Sequence, residues 1–521
     1  MQQTPTPPVE GVGDSYSRPS PGQAAADAIP LLVDDTYHVF HLTTPPFTKH
    51  HPPRLRSTWS RLRSTDLVHW TRDAEPVLQP SDDPPAPDAD GVWTGAAVLG
   101  PDGRMNIFYT GYNLHQQGGK QVILRAVARD RHGTAFDGGP ATQIFIKEDD
   151  DGGAAGAARF EDIDFRDAFV FFHDQSSEYW MLVATRLRTG PHWTRGCIAL
   201  LTSPDLEQWT VAPEPLYSPN DMFCPECPEL FRLPDSSGKD RWYLVYSRFA
   251  APNAGTVYRV ADTPRGPFRI PRDGSHGRLD GRRWYAAKSC PKAGDPTRRV
   301  FFGWIGDRVD DEGKWLWGGD LGMPREVWAD AEGNLRIDAA AEVRALFRET
   351  SVPLLSDALP ETLVVSATGS TRTMFSELGL LAATTQEDAL LIEFNIRTCD
   401  AHSFGMLLHA DEDLRGHRLH FAPSHLDQRY NITLFTDLPC LDDFWADQYS
   451  LHVPRPVDGP ELVRHENVKI DGAICVFLRG LLVEVFCGGR SISFRLPESI
   501  EVKGAIVAAN DYDDPKKYLR A

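Results

Sequence analysis

The sequence predicts an all-β protein, a five-bladed β-propeller followed by a C-terminal β-sandwich. Three observations lead there. Before about residue 335 helical periodicity is nearly absent, while short runs rich in β-branched and aromatic residues recur between Gly, Pro, Asp and Asn clusters. Those runs group into five units that share near copies. Ser64-Thr65-Asp66-Leu67-Val68-His69-Trp70 matches Ser203-Pro204-Asp205-Leu206-Glu207-Gln208-Trp209, and Thr263-Pro264-Arg265-Gly266-Pro267-Phe268 takes the same place in a third unit. After one helix-like stretch the repeat stops, yet alternating β runs continue.

In chain order, residues 1–23 carry Pro and Gly and are expected to be irregular. The five units fill residues 24–337, with first strands beginning near Asp27, Trp93, Asp167, Cys227 and Tyr285. A unit of roughly 60 to 75 residues with about four strands is a propeller blade rather than a solenoid repeat. The innermost strand of each blade lines a central funnel, so residues that start first strands converge on one mouth. Residues 338–351 are expected to form a linker helix, apolar at Val343, Leu346 and Phe347. Over 352–521 the runs 390–398, 403–410, 429–436, 473–489 and 491–497 alternate without intervening helices, as in a sandwich of two antiparallel sheets.

Bulk properties narrow the function. A chain of 521 residues is too long for one ordinary core. Hydrophobic residues at 41% and charged residues at 24% are those of a globular protein, and no apolar run approaches the ~18 residues that span a bilayer. A net charge of −19 argues against nucleic acid or an anionic membrane as partner and leaves a neutral carbohydrate acceptable. Eight cysteines make no disulfide framework, and the lone Cys224-Pro225-Glu226-Cys227 pair reads as two thiols rather than a zinc site. No cofactor or metal is called for: the acidic run from Glu148 to Asp151 reads as a solvated loop rather than a calcium site. The N-terminal residues show neither the basic nor the apolar part of a secretory leader, so a cytoplasmic location is expected, or a secreted one if a leader has been removed. Asn431-Ile432-Thr433 is a single glycosylation sequon.

Three carboxylates stand out at the starts of first strands in apolar surroundings. Asp27 precedes Ala28-Ile29-Pro30-Leu31-Leu32-Val33, Asp167 lies between Arg166 and Ala168-Phe169-Val170, and Glu226 sits between Pro225 and Cys227. An acid at a strand start usually meets solvent; three at equivalent places in different units point to one shared mouth. Asp34 and Asp35 are rivals to Asp27 but read as a turn before the next strand.

On these residues the chain resembles glycoside hydrolase family 32. Phe165-Arg166-Asp167 is similar to the start of the family's Phe-Arg-Asp-Pro motif, with Ala168 at the proline, and Glu226-Cys227-Pro228-Glu229 to its Glu-Cys-Pro-Asp motif. The segment from Trp59 to Trp70, Trp93-Thr94-Gly95-Ala96, Phe108-Tyr109-Thr110-Gly111, Gly303-Trp304 and Met323-Pro324-Arg325-Glu326 resemble further family motifs in the family's order. Leu482-Val483-Glu484-Val485-Phe486 with Gly488-Gly489-Arg490 is similar to the hallmark of its sandwich domain. At the nucleophile the chain departs: Asp27-Ala28-Ile29-Pro30 resembles a divergent Gly-Asp-Pro-x-Pro form rather than Trp-Met-Asn-Asp-Pro-Asn-Gly, and Leu42 stands where glutamine is usual.

The resemblance implies a retaining β-fructofuranosidase acting on sucrose and short fructooligosaccharides, with fructosyl transfer at high sucrose. It implies Asp27 as nucleophile, Glu226 as acid/base and Asp167 as the carboxylate that holds fructose hydroxyls. Arg166 would orient the carboxylates, and Trp59, Trp93 and Thr94 would contact the sugar. An arabinanase-like hydrolase on the same propeller and a non-catalytic sugar-binding propeller are the alternatives. Oligomeric state is left open.

Overall fold

A computed structural model describes residues 9–10, 14–20, 22–47, 56–115, 119–136, 142–143, 145–146, 159–249, 254–306, 317–349, 374–378, 389–394, 403–408, 417–436, 461–496 and 505–510. The acidic run from Glu148 to Asp151 lies outside them. No helix among the described residues is long and apolar enough to cross a membrane.

Five units of antiparallel strands follow one another along the chain, the first and fifth joined in one sheet, and Phe145–Ile146 adds to the third in parallel. Blade I comprises Ala25–Val33, Thr36–Thr43, Thr58–Ser64 and His69–Arg72; blade II Gly91–Leu99, Met105–Tyr112, Gln121–Val127 and Thr142–Gln143. Blade III comprises Phe160–His173, Glu178–Leu187, Gly196–Ser203 and Gln208–Val211; blade IV Glu226–Pro234, Asp240–Arg248 and Gly255–Ala261, with an isolated bridge from Val260 to Arg269 in the fourth place. Blade V comprises Trp284–Lys292, Asp295–Gly306, Arg325–Ala329 and Leu335–Ala339. Gly319–Leu321 pairs with blade V and, through Gly319 and Ala25, with the first strand of blade I, closing the ring.

The copied segments are copied turns. In blade I the Ser64 hydroxyl accepts from Leu67 N at 2.9 Å, and Asp66 Oδ1 accepts from Val68 N and His69 N at 2.9 and 2.8 Å. In blade III Ser203 accepts from Leu206 N at 2.9 Å, and Asp205 from Glu207 N and Gln208 N at 2.9 and 3.0 Å. Each turn throws its leucine to positive φ, 65° at Leu67 and 68° at Leu206, and delivers a fully buried tryptophan, Trp70 or Trp209. Local side-chain acceptors satisfy the turn amides, so the same few residues make the same corner twice.

A helix, Ala341–Glu349, follows blade V, with Val343 buried and Phe347 edge-on to Phe477 at 5.2 Å. Beyond it lie a six-stranded and a four-stranded antiparallel sheet. Met406, Leu419, Phe421, Ile432 and Leu434 of the first share a core with Val476, Val483, Val485, Ile492 and Phe494 of the second, so the two form a sandwich. The Asn431 sequon lies within the strand Tyr430–Thr436, its Oδ1 accepting from Asn467 N at 3.3 Å.

Propeller and sandwich are joined by buried charge. Arg325 of blade V is fully buried and donates to Asp280 at 2.8 Å, to Glu484 at 2.8 Å and to Ser493 at 2.7 Å. Glu484 also takes Arg479 at 2.7 Å. Burial works to raise the pKa of Glu484, but Arg479 and Arg325 outweigh it and hold the group below its ordinary value. Two sequence motifs, one around Arg325 and one around Glu484, are thus the two halves of one ion-pair network.

Candidate active site

The innermost strand of every blade breaks its pairing register at the same place. The break falls between Ala26 and Ile29, between Trp93 and Gly95, between Arg166 and Phe169, between Glu226 and Glu229, and between Tyr285 and Lys288. An extra residue in one strand bends it and re-aims its side chains. In four blades that residue takes positive φ: Asp27 at 39°, Asp167 at 59°, Cys227 at 50° and Ala286 at 48°. Such a conformation costs an L-residue roughly 1–2 kcal/mol and persists only where surrounding packing enforces it. Blade II uses a glycine instead: a Cβ on Gly95 would lie 1.7 Å from the carbonyl oxygen of Phe108.

These breaks build the pocket. Of its eleven lining residues, eight come from them: Asp27, Trp93, Thr94, Arg166, Asp167, Glu226, Cys227 and Tyr285; Leu42, Trp304 and Trp317 complete the wall. The space at this site, open in part to solvent, is about 430 Å³. The sequence placed all three carboxylates at strand starts: Glu226 does open its strand, Glu226–Pro234, whereas the other two strands begin earlier, at Ala25 and Phe160, and Asp27 and Asp167 sit inside them at the bulge.

Each carboxylate is held separately. Trp304 Nε1 donates to Asp27 Oδ1 at 2.8 Å. Asp167 accepts from Cys227 N at 2.9 Å, while its own amide donates to Thr110 Oγ1 at 3.0 Å. Arg166 Nη2 donates to Glu226 Oε1 at 2.9 Å, and the Tyr285 hydroxyl donates to Glu226 Oε2 at 2.5 Å. Burial first, then the charge of Asp167, push the Asp27 carboxyl up from 3.8 to about 7, against the Trp304 hydrogen bond. Thr94, on the pocket wall, also lowers it, and its buried hydroxyl makes no hydrogen bond of ordinary geometry.

Arg166 belongs to a ladder of alternating charge. Its Nη1 meets Asp164 Oδ1 at 2.7 Å; Asp164 Oδ2 takes Arg186 Nη1 at 3.0 Å; Arg186 meets Glu161 at 3.0 Å, and Glu161 closes on Arg195. Burial opposes the charge on Arg166, yet the surrounding carboxylates raise its pKa further, so the guanidinium stays charged.

Other expected residues stand elsewhere. Trp59 is fully buried between Phe40 and Tyr109, with Nε1 donating to the Trp93 carbonyl at 3.1 Å, and does not line the pocket. It supports the wall from behind, because its strand position faces the neighbouring blade. Asp34 and Asp35, both at positive φ, form the turn joining Val33 to Thr36 at the opposite end of the strand from Asp27. Glu229 is buried and accepts from Ser289 N at 2.8 Å and Arg299 at 3.0 Å, tying blade IV to blade V. Cys224 and Cys227 are buried free thiols, and no group of three metal-ligating side chains occurs among the described residues. Sequence reasoning missed Tyr285, Trp304, Trp317, Asp164 and Arg186. Two of these carried a usable signal: Tyr285 occupies in unit five the position of Glu226 in unit four, and Trp304 lies in the Gly303-Trp304 motif.

Fold and site define a propeller–sandwich protein with a carboxylate-lined pocket at the propeller mouth. Residues 28–338 match the glycosyl hydrolases family 32 N-terminal domain, and the chain belongs to that family. It is 25% identical over 331 residues to the β-fructofuranosidase insoluble isoenzyme CWINV1 of Arabidopsis thaliana, covering 58% of this chain and 52% of the relative. To a levanase of Bacillus sp. (strain L7) it is 28% identical, over 57% of this chain and 31% of the relative. The matches thus span about half or less of these relatives' length. Fructan 1-exohydrolase IIa of Cichorium intybus shares the fold with a TM-score of 0.62 at 17% identity, covering 98% of both chains.

Proposed function

We propose that the chain is a retaining β-fructofuranosidase for sucrose and short fructooligosaccharides. The observation that carries this reading is the convergence of Asp27, Asp167 and Glu226, from three blades, on one pocket through one repeated bulge. Family membership supports it over an arabinanase-like activity, and the relatives' names, β-fructofuranosidase and levanase, point to fructosides.

In this mechanism Asp27 attacks the anomeric carbon of the fructosyl unit while Glu226 protonates the departing oxygen, giving a covalent fructosyl-enzyme. Glu226 then takes a proton from water, which attacks the same carbon and restores Asp27. Asp167 accepts hydrogen bonds from fructose hydroxyls, Thr94 and Arg166 donate to them, and Trp93, stacked on Tyr112 at 4.2 Å, forms an apolar wall. The attack requires Asp27 ionised while Glu226 carries the proton it donates. With the Asp27 carboxyl raised to about 7, the nucleophile gains its charge, and kcat/KM is expected to rise, as pH rises through about 7. The Tyr285 hydroxyl orients Glu226, so Tyr285→Phe is expected to lower kcat/KM roughly tenfold, as for loss of one hydrogen bond to a carboxylate. An unchanged kcat/KM would remove Tyr285 from this role.

The products test the reading directly. At millimolar sucrose, β-configured fructose and glucose are expected. At molar sucrose a share of the fructosyl groups passes to a second sucrose, giving kestose-type trisaccharide. Initial release of α-configured fructose would overturn retention, and no turnover of sucrose, kestose, inulin or levan would leave a sugar-binding propeller.

A further inference from the structure

Resting on that fructosidase reading, we propose that Trp193 is the stacking platform for the leaving part of an oligosaccharide substrate. Its indole is 58% exposed, unusual for a side chain of that size in so buried a set of tryptophans. It is not loose. Trp193 lies 5.3 Å from Phe223 and 5.0 Å from His192, perpendicular to the latter, and Phe223 continues inward to Phe249 at 5.7 Å.

The patch lies on the correct side. The loop carrying it joins the second and third strands of blade III at the pocket end, because Leu187 before it pairs with Phe160 at the head of the first strand. Arg195 bridges to Met222, and Gly196 N donates to Met222 O at 3.0 Å, so the loop is sewn to the segment that runs through Phe223 into Glu226. A general acid stands beside the oxygen it protonates, so the departing sugar leaves toward Glu226 and away from Asp27.

Arg186 makes the patch and the acid one rigid unit. Its guanidinium lies 3.9 Å over the Phe223 ring and donates to His192 Nδ1 at 2.9 Å and to His192 O at 3.0 Å. The same group meets Asp164, which holds Arg166 on Glu226. With that cation engaged inward, the loop's exposed aromatic surface is the Trp193 indole, beside Pro191 and His192, which are exposed too. That suits the C–H face of a neutral sugar ring and is far smaller than a protein interface, which buries roughly 800 Å² per partner.

The test compares methyl β-D-fructofuranoside, whose leaving group is too short to reach Trp193, with 1-kestose, whose leaving group is a disaccharide. In Trp193→Ala the ratio of kcat/KM for kestose to that for the methyl fructoside is expected to fall roughly three- to tenfold, chiefly through KM, as for loss of one aromatic stack. Trp193→Phe should recover most of the ratio. An unchanged ratio, or an equal fall on both substrates, would overturn the platform while leaving the fructosidase reading intact. A native protein that turns over neither substrate would overturn both.

Discussion

Asp27→Asn is expected to lower sucrose turnover by several orders of magnitude and, at mildly alkaline pH, to make the protein more stable. Loss of a nucleophile removes the covalent path, and Glu226→Gln should be comparably inactive through loss of the acid. The stability gain follows from the direction of the Asp27 shift. A carboxyl raised from 3.8 to about 7 binds more protons in the folded than in the unfolded protein between those values, so its contribution to stability falls as pH rises through that window. Asparagine carries no such penalty and can still accept from Trp304 Nε1. The variant should gain on the order of a few kcal/mol above pH 7, and nothing at pH 4. Urea unfolding at both pH values, beside steady-state turnover, reads both effects. Activity above a few per cent of wild type would remove Asp27 from the nucleophile role. Asp34 could not replace it from the turn at the far end of the strand.

Glu484→Gln should do the reverse, costing about 3–5 kcal/mol at neutral pH, because it leaves Arg325 and Arg479 buried with too little negative charge. Here the sign is that of an ordinary paired carboxylate. Held low, Glu484 supports the fold above its unfolded pKa, and that support is lost as pH falls through the lower folded value. Denaturant unfolding shows the cost. A change below about 1 kcal/mol would mean that the network fixes orientation without net stabilisation.

The blades were legible because their corners are chemical. Ser64 with Asp66, and Ser203 with Asp205, hold their own turn amides, and that function needs particular residue types at particular spacings. The bulges were not legible, because they are made by backbone conformation. Asp-Ala occurs twice, at Asp27-Ala28 and Asp167-Ala168, but no residue type is common to these and to Thr94-Gly95, Cys227-Pro228 and Ala286-Ala287, and all five share only a place in the register. Tyr285 was therefore passed over although it shares Glu226's position, and Asp27 and Asp167 were assigned to strand starts. Trp59 failed for a different reason: alternation along a strand does not say which face meets the pocket and which meets the next blade. The ladder through Asp164 and Arg186 joins two strands with long-range geometry that no local pattern announces.

The closing strand and Trp304 place a condition on how this protein is made. Asp27 is anchored by a residue 277 positions later, and the strand that carries it is paired on one side by Gly319. At ribosomal rates of roughly 5–20 residues per second, tens of seconds separate synthesis of the nucleophile from that of its support. During that interval the first blade presents an unpaired inner edge with an acidic side chain at a strained bend. Catalytic competence should therefore arise in a single step when the fifth blade docks, rather than grow blade by blade.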